Sequence, residues 1–162
     1  VAKHDGYRHI NLTHQRTIEH LNEKWIIKDN ILPINSRSNK AQSLQQSGRV
    51  HKFDLHWLVP DWPWEIVGKG NDSILVLRLL SPHGWIKLEI NSPKRETVDN
   101  NNNELALQIF RKGKTVFGTE KENPILGWVS PTYGYKFPAL SIRATTISPT
   151  PLTLVSKWFF PH

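Results

Sequence analysis

The sequence contains no cysteine and no methionine. A chain without Cys has no disulfide scaffold, no thiolate zinc site and no cysteine nucleophile. A chain without Met is expected to start elsewhere than at its own start codon, as a processed product or a piece of something longer. Long apolar runs are missing as well: none approaches the roughly 20 residues of a membrane helix, and no signal-peptide pattern opens the sequence. A G-x-S-x-G elbow, an H-E-x-x-H helix, a phosphate loop and a dinucleotide fingerprint are all absent. No dense Lys/Arg run marks a nucleic-acid arm, so the basic charge permits a nucleic-acid partner that no motif supports. The first expectation is a chain with no membrane partner and none of the common catalytic signatures.

What is present suits one domain. Seven Trp, six Phe and three Tyr among 162 residues supply enough apolar area for a single core. No internal repeat and no shift of composition divides residues 1–162. The charge is +7, from 21 Lys+Arg and 14 Asp+Glu, and it is uneven. Residues 1–58 carry a net +4, residues 59–110 a net −2 and residues 111–162 a net +5. Two basic segments around an acidic one suit a positive surface for a polyanion, nucleic acid or acidic polysaccharide. They suit equally a chain that is merely kept in solution.

Period-2 alternation dominates the chain. In Val50–Pro60, Phe53, Leu55, Trp57 and Val59 alternate with Lys52, Asp54, His56 and Leu58, the pattern of a strand with one face in a core. Trp85–Ile90 sets Ile86, Leu88 and Ile90 on one face and Trp85, Lys87 and Glu89 on the other. Leu140–Ile147 and Leu152–Phe160 are rich in Thr, Ile, Val and aromatics, which suit a pleated surface. Ile74–Leu80 is almost continuously apolar and reads as a strand covered on both faces. Asn22-Glu23-Lys24 separates Thr13–Leu21 from Trp25–Leu32 as in a hairpin. Turn residues at 68–72 and 81–84 flank Ile74–Leu80, so 64–90 reads as a meander. Ser148-Pro149-Thr150-Pro151 divides the last two strands, and Asn35–Gly48 and Asn91–Asn103 read as long loops. No window longer than two turns holds a 3.6 period, and eleven prolines are spread through the chain. The expectation is an all-β, antiparallel β-sandwich of nine or ten strands with little or no helix.

The candidate sites divide between chemistry and structure. Eight histidines invite a metal, yet none form the H-x-H pair that shares one face of a strand, and His51 and His56 point to opposite faces. No metal ligand is assigned. His4-Asp5-Gly6-Tyr7-Arg8 gathers a base, a carboxylate, a phenol and a guanidinium. Its leading reading is a strand entry with a Gly-containing bulge, whose side chains bond the neighbouring backbone. Trp62-Pro63-Trp64, and Tyr133 and Tyr135 around Gly134, read either as sugar-stacking rings or as aromatics turned into a core.

Several segments, taken in order, carry a resemblance. They are Lys3-His4-Asp5-Gly6-Tyr7-Arg8, His14-Gln15-Arg16-Thr17, Trp25-Ile26-Ile27-Lys28-Asp29 and Phe53-Asp54-Leu55-His56-Trp57. The last is Gly127-Trp128-Val129-Ser130-Pro131-Thr132-Tyr133-Gly134, followed by Pro138. The set resembles the C-terminal β-sandwich of heparinase II/III-like proteins across nearly the whole chain.

That resemblance implies a parent that joins an α/α toroid to a β-sandwich and cleaves uronic-acid polymers, a glycosaminoglycan or alginate, by β-elimination. The reaction needs a partner for the uronate carboxylate, a base for the C5 proton and an acid for the leaving oxygen. In the family these groups come from the toroid and from a G-H-G-H-A-D-like segment that binds a divalent metal in some members. All of them lie upstream of the His4-Asp5-Gly6-Tyr7 segment, and none is present in this sequence. The resemblance therefore carries over no catalytic residue and no cofactor. It implies the distal half of the sandwich, a chain not catalytic by itself, supporting the substrate cleft. Its implied partners are an acidic polysaccharide and the upstream toroid, in a periplasmic or secreted bacterial protein. His4, Arg8 and Arg16, with Arg143 behind them, are the expected substrate contacts, joined by Tyr7, Trp62 and Trp64. Half a sandwich would also leave an apolar patch or an edge strand open to dimerisation. The alternative is a carbohydrate-binding module for anionic polysaccharide.

Overall fold

In a computed structural model of the chain, the residues described are 1–34, 50–69, 74–92 and 105–161. They form two antiparallel sheets packed face to face, an all-β sandwich interrupted by a single 3-10 turn at Arg8–Ile10. The strands are β1 (Ala2–His4), β2 (Leu12–Leu21), β3 (Lys24–Pro33), β4 (Val50–Pro60), β5 (Trp64–Lys69) and β6 (Ile74–Ser81). They continue with β7 (Gly84–Asn91), β8 (Ala106–Arg111), β9 (Lys114–Phe117), β10 (Trp128–Val129), β11 (Phe137–Pro149) and β12 (Leu152–Phe159). The expected strands are all there. The short β1, β9 and β10 exceed the expected number because so few residues hold no readable period. The loop expected at Asn35–Gly48 lies outside the described residues, as do residues 93–103 of the second loop and 70–72 of the turn before β6.

The first sheet runs β1-β2-β3-β12-β7-β6-β5. Two sequence-local units build most of it: the β2–β3 hairpin and the β5–β6–β7 meander. At the turn between β6 and β7, the Ser81 hydroxyl donates to the Gly84 carbonyl at 2.7 Å and accepts from the His83 N–H at 3.2 Å. The second sheet sets β4, β11, β8 and β9 abreast, and β10 pairs with the first residues of β11. Gly127 leads into β10 with φ of 74°, and a Cβ there would meet the Arg111 backbone at 2.6 Å. Only glycine allows that close crossing.

The core lies between the sheets. Leu77 and Leu79 of β6 and Leu88 of β7 meet Ile109 of β8 and Leu140 and Ile142 of β11, all essentially without solvent exposure. Each such side chain contributes about 1.5–3 kcal/mol by leaving water. One expectation is corrected here: β6 is not covered on both faces. Leu75, Leu77 and Leu79 are buried, whereas Ile74, Val76 and Arg78 are half-buried and Leu80 is exposed. The outward residues shield one another instead, with the Arg78 guanidinium 4.4 Å from the Trp85 ring centre.

The two sheets differ in width, and this difference makes the site. Across the core, β4 lies over β12, since the Trp57 indole donates to Ser156 Oγ at 3.1 Å and meets Trp158 edge-on at 5.5 Å. At the other side β9 lies over β5, with Phe117 against Trp64. Strands β1 and β2 therefore extend past β4, and inward-facing Ile18 and Trp25 remain 55% and 43% exposed.

Candidate functional site: a cleft at the open edge of the sandwich

The β2–β3 hairpin turns at Asn22, which takes the left-handed conformation with φ of 52°. The register that follows pairs Leu21 with Lys24 and, further along, places Arg16 directly opposite Asp29. His14 is two residues from Arg16 and so shares its face. Two side chains thus converge on one carboxylate. Arg16 donates from Nε to Asp29 Oδ1 at 2.7 Å and from its Nη2 nitrogen to Oδ2 at 3.0 Å, while His14 Nε2 lies 2.6 Å from Oδ1. The Asp29 side chain is 4% exposed, against 34% for Arg16 and 24% for His14. A nearly dry carboxylate is tolerable only with such partners, and the two-pronged guanidinium fork is the strongest of them.

These groups form one wall of a cleft of about 390 Å³. Tyr7 from the first turn and His51 and Phe53 from β4 form the opposite side. The Arg16 guanidinium also sits 5.1 Å from the Trp57 ring centre, which orients it further. Two of its three nitrogens are committed to Asp29, and Nη1 makes no hydrogen bond among the described residues. The cleft therefore offers a pinned cationic edge, imidazoles and a phenol against an apolar wall. In charge and shape those groups are complementary to an anionic, ring-shaped molecule. Among the described residues no three His, Asp or Glu side chains converge as metal ligands.

The expected site residues are only partly gathered. Arg16 and Tyr7 line the cleft. His4 stands opposite His14 in the β1–β2 register, but its Nδ1 accepts the Gly6 N–H at 3.2 Å and its ring meets Tyr7 edge-on at 5.9 Å. Arg8 pairs with Asp5 at 3.0 Å in a solvent-exposed bridge. His4 and Arg8 are thus held within their own turn, while Tyr7 of the same segment reaches the cleft.

Arg143 is elsewhere. It projects from the outward face of the second sheet, donates to Gln108 Oε1 at 3.1 and 3.2 Å, pairs with Glu120 and lies over Phe110. The expectation that it backs His4, Arg8 and Arg16 is corrected: a sheet separates them, because position 143 has the opposite parity to core-facing Ile142 and Ala144. Trp62 and Trp64 are half-buried and pack against the core at the β5 end, with four strands of the first sheet between them and β2. Sequence reasoning did not select Asp29, His14, His51 or Phe53 as a site. The signal for Asp29 was the hairpin turn, which fixes its partner by counting.

His56 faces outward from β4 opposite Arg143. Its imidazole is held below its ordinary range, first by loss of solvent around the ring and then by the Arg143 charge. Arg111, bonded through Nε and Nη2 to Asp61 at 2.6 and 2.7 Å, is pushed further into its charged form by that hydrogen-bonded carboxylate.

No protein-family model matches the sequence, and no curated protein matches it. Among solved structures the chain is similar to one named "Heparinase III-BT4657 gene product", with a TM-score of 0.53 and 13% identity. The likeness covers 97% of this chain and 18% of that one. At so low an identity it is a likeness of fold. The chain has a β-sandwich related in fold to one portion of a heparinase III, and it spans about a fifth of that protein's length.

Proposed function

We propose that this chain is the C-terminal β-sandwich of a heparinase II/III-like polysaccharide lyase, and that it supports the substrate without catalysing the reaction itself. The observation that carries the reading is the fold likeness to heparinase III over 97% of the chain. The ordered sequence segments, from His4-Asp5-Gly6-Tyr7 to Gly127-Trp128, support the same family. The parent would act on an acidic, uronate-containing polysaccharide by β-elimination, in the periplasm or outside the cell. An upstream toroid would supply base and acid, with a divalent metal if the parent binds one. In this chain the Arg16–Asp29–His14 cleft is the contact for a carboxylate or sulfate of the sugar chain. Asp29 holds the guanidinium in place and leaves its outer edge for the ligand, so the site is built before the ligand arrives.

Titration calorimetry with heparin or alginate is expected to give binding that weakens as salt rises, because charge carries much of it. Arg16→Gln, with the fold verified by circular dichroism, should reduce that binding severalfold. The purified chain alone should not raise the ultraviolet absorbance of unsaturated uronate in either polymer. Turnover by the isolated chain, or binding indifferent to Arg16→Gln, would overturn the proposal.

A further inference from the structure

The surface around β10 has features that the cleft does not use. The segment from Pro124 to Phe137 exposes Ile125 at 78%, Tyr133 at 100%, Tyr135 at 64% and Phe137 at 51%. Exposed apolar residues scattered singly need no explanation, but a cluster within one short segment does. The segment is not a loose flap. Lys112 and Gly113 of the β8–β9 turn donate backbone N–H groups to the carbonyls of Gly127 and Leu126, at 3.0 and 2.9 Å. Ser130 Oγ bonds the carbonyls of Thr132 and Tyr135 at 3.0 and 2.7 Å. The aromatic rings are therefore presented by a backbone that is held from several sides.

Beside Tyr135 lies an open hollow of about 460 Å³, bounded by Ile125, Trp128, Ser130, Tyr135 and Lys136. The Lys136 ammonium sits 4.0 Å from the centre of the Trp128 ring. The Trp128 indole N–H is buried and has no hydrogen-bond partner among the described residues. A buried donor left unpaired is costly, and each such group calls for a partner. Exposed Lys112 and Lys114 stand on the turn bonded to this segment, so the neighbourhood is cationic as well as aromatic.

We infer that this hollow is a second saccharide site, taking a single anionic pyranose unit through Tyr135, Trp128 and Lys136. A pyranose presents a C–H face to an aromatic ring and hydroxyl acceptors at its rim, and a uronate adds a carboxylate. Tyr135 supplies the ring and Lys136 the counter-charge. Trp128 lines the hollow beside them, its ring 4.0 Å from the Lys136 ammonium. The inference is independent of the cleft, which lies between the sheets at β2 and β4 and shares no residue with the hollow.

The test is titration of ¹⁵N-labelled chain with an alginate tetramer and, separately, with the uncharged cellotetraose. Alginate is expected to shift the Gly127, Gly134 and Lys136 amides. Tyr135→Ala should weaken those shifts about fivefold to tenfold, and Lys136→Ala should reduce the preference for alginate over cellotetraose. Tyr135 and Lys136 are exposed, so both variants should keep the wild-type circular dichroism. Arg16→Gln should leave this set of shifts unchanged, which separates the site from the cleft. Shifts confined to the cleft, or the absence of shifts around β10, would overturn the inference. Shifts around β10 that follow protein concentration without sugar would assign the hollow to contacts between copies and overturn it equally.

Discussion

Asp29 ties the two strands of the hairpin together, because one carboxylate accepts from both Arg16 and His14 while itself nearly dry. Asp29→Ala strands two polar side chains at the edge of a core. We expect a loss of about 2–4 kcal/mol, the lower part of the range for a broken buried pair because Arg16 is a third exposed. Urea unfolding followed by Trp fluorescence measures it. His56 contributes through protons. Its folded pKa lies below the ordinary value of 6.5, so the unfolded chain binds the proton first as pH falls. Stability is therefore lost on acidification through about 6.5 and down to the folded pKa. His56→Asn should flatten that part of the stability–pH curve. The ring is only partly withdrawn from water on the outer face, so solvent screens the effect.

At the scale of elements, the β2–β3 hairpin shows what was legible in the sequence and what was not. Its turn residues and its two alternating runs mark it plainly, and the register follows once the turn is placed. Arg16 opposite Asp29 could therefore have been read by counting outward from Asn22. The other wall of the cleft could not. His51 and Phe53 arrive from a strand separated from β2 and β3 by residues 34–49, and nothing local dictates which strand lies across which. For the same reason the sequence does not separate Arg143 from Arg16: parity along β11 is visible, but which face of that strand meets the core depends on the partner sheet. The continuous apolar run of β6 misled in another way, since half-exposed Ile and Val on an outward face look like core residues in a sequence. The hairpin carries its own prediction. Asn22 occupies a conformation that costs most residues with a Cβ about 1–2 kcal/mol, and Asn meets it better than Ala does. Asn22→Ala should lower stability by about 1 kcal/mol, and Asn22→Gly should be close to neutral in the same unfolding assay.

At the scale of the molecule, the sheets are unequal partners. Seven strands face four abreast, and Ile18 and Trp25 stay exposed on the wider sheet's inner face. In solution we expect this overhang to support weak self-association. Sedimentation velocity across a hundredfold range of concentration should show the mean mass rising, and Ile18→Lys should suppress the rise. A strictly constant mass would mean that the overhang is sufficiently wetted by His14, Arg16 and His20 to stand alone.

Strand β4 is fastened along one side only, to β11, among the described residues. It also carries His51 and Phe53, so the least restrained long strand of the smaller sheet is one jaw of the cleft. Local opening there needs only a fraction of the global unfolding free energy. Its amides should exchange with deuterium well before those of β11, by way of brief excursions that leave the core closed. A sugar chain bridging Arg16 on one sheet and His51 on the other would act as a removable stitch between layers. Slower exchange at Phe53 and Leu55 on adding polysaccharide would report that stitch directly, as the coupling of occupancy to opening requires.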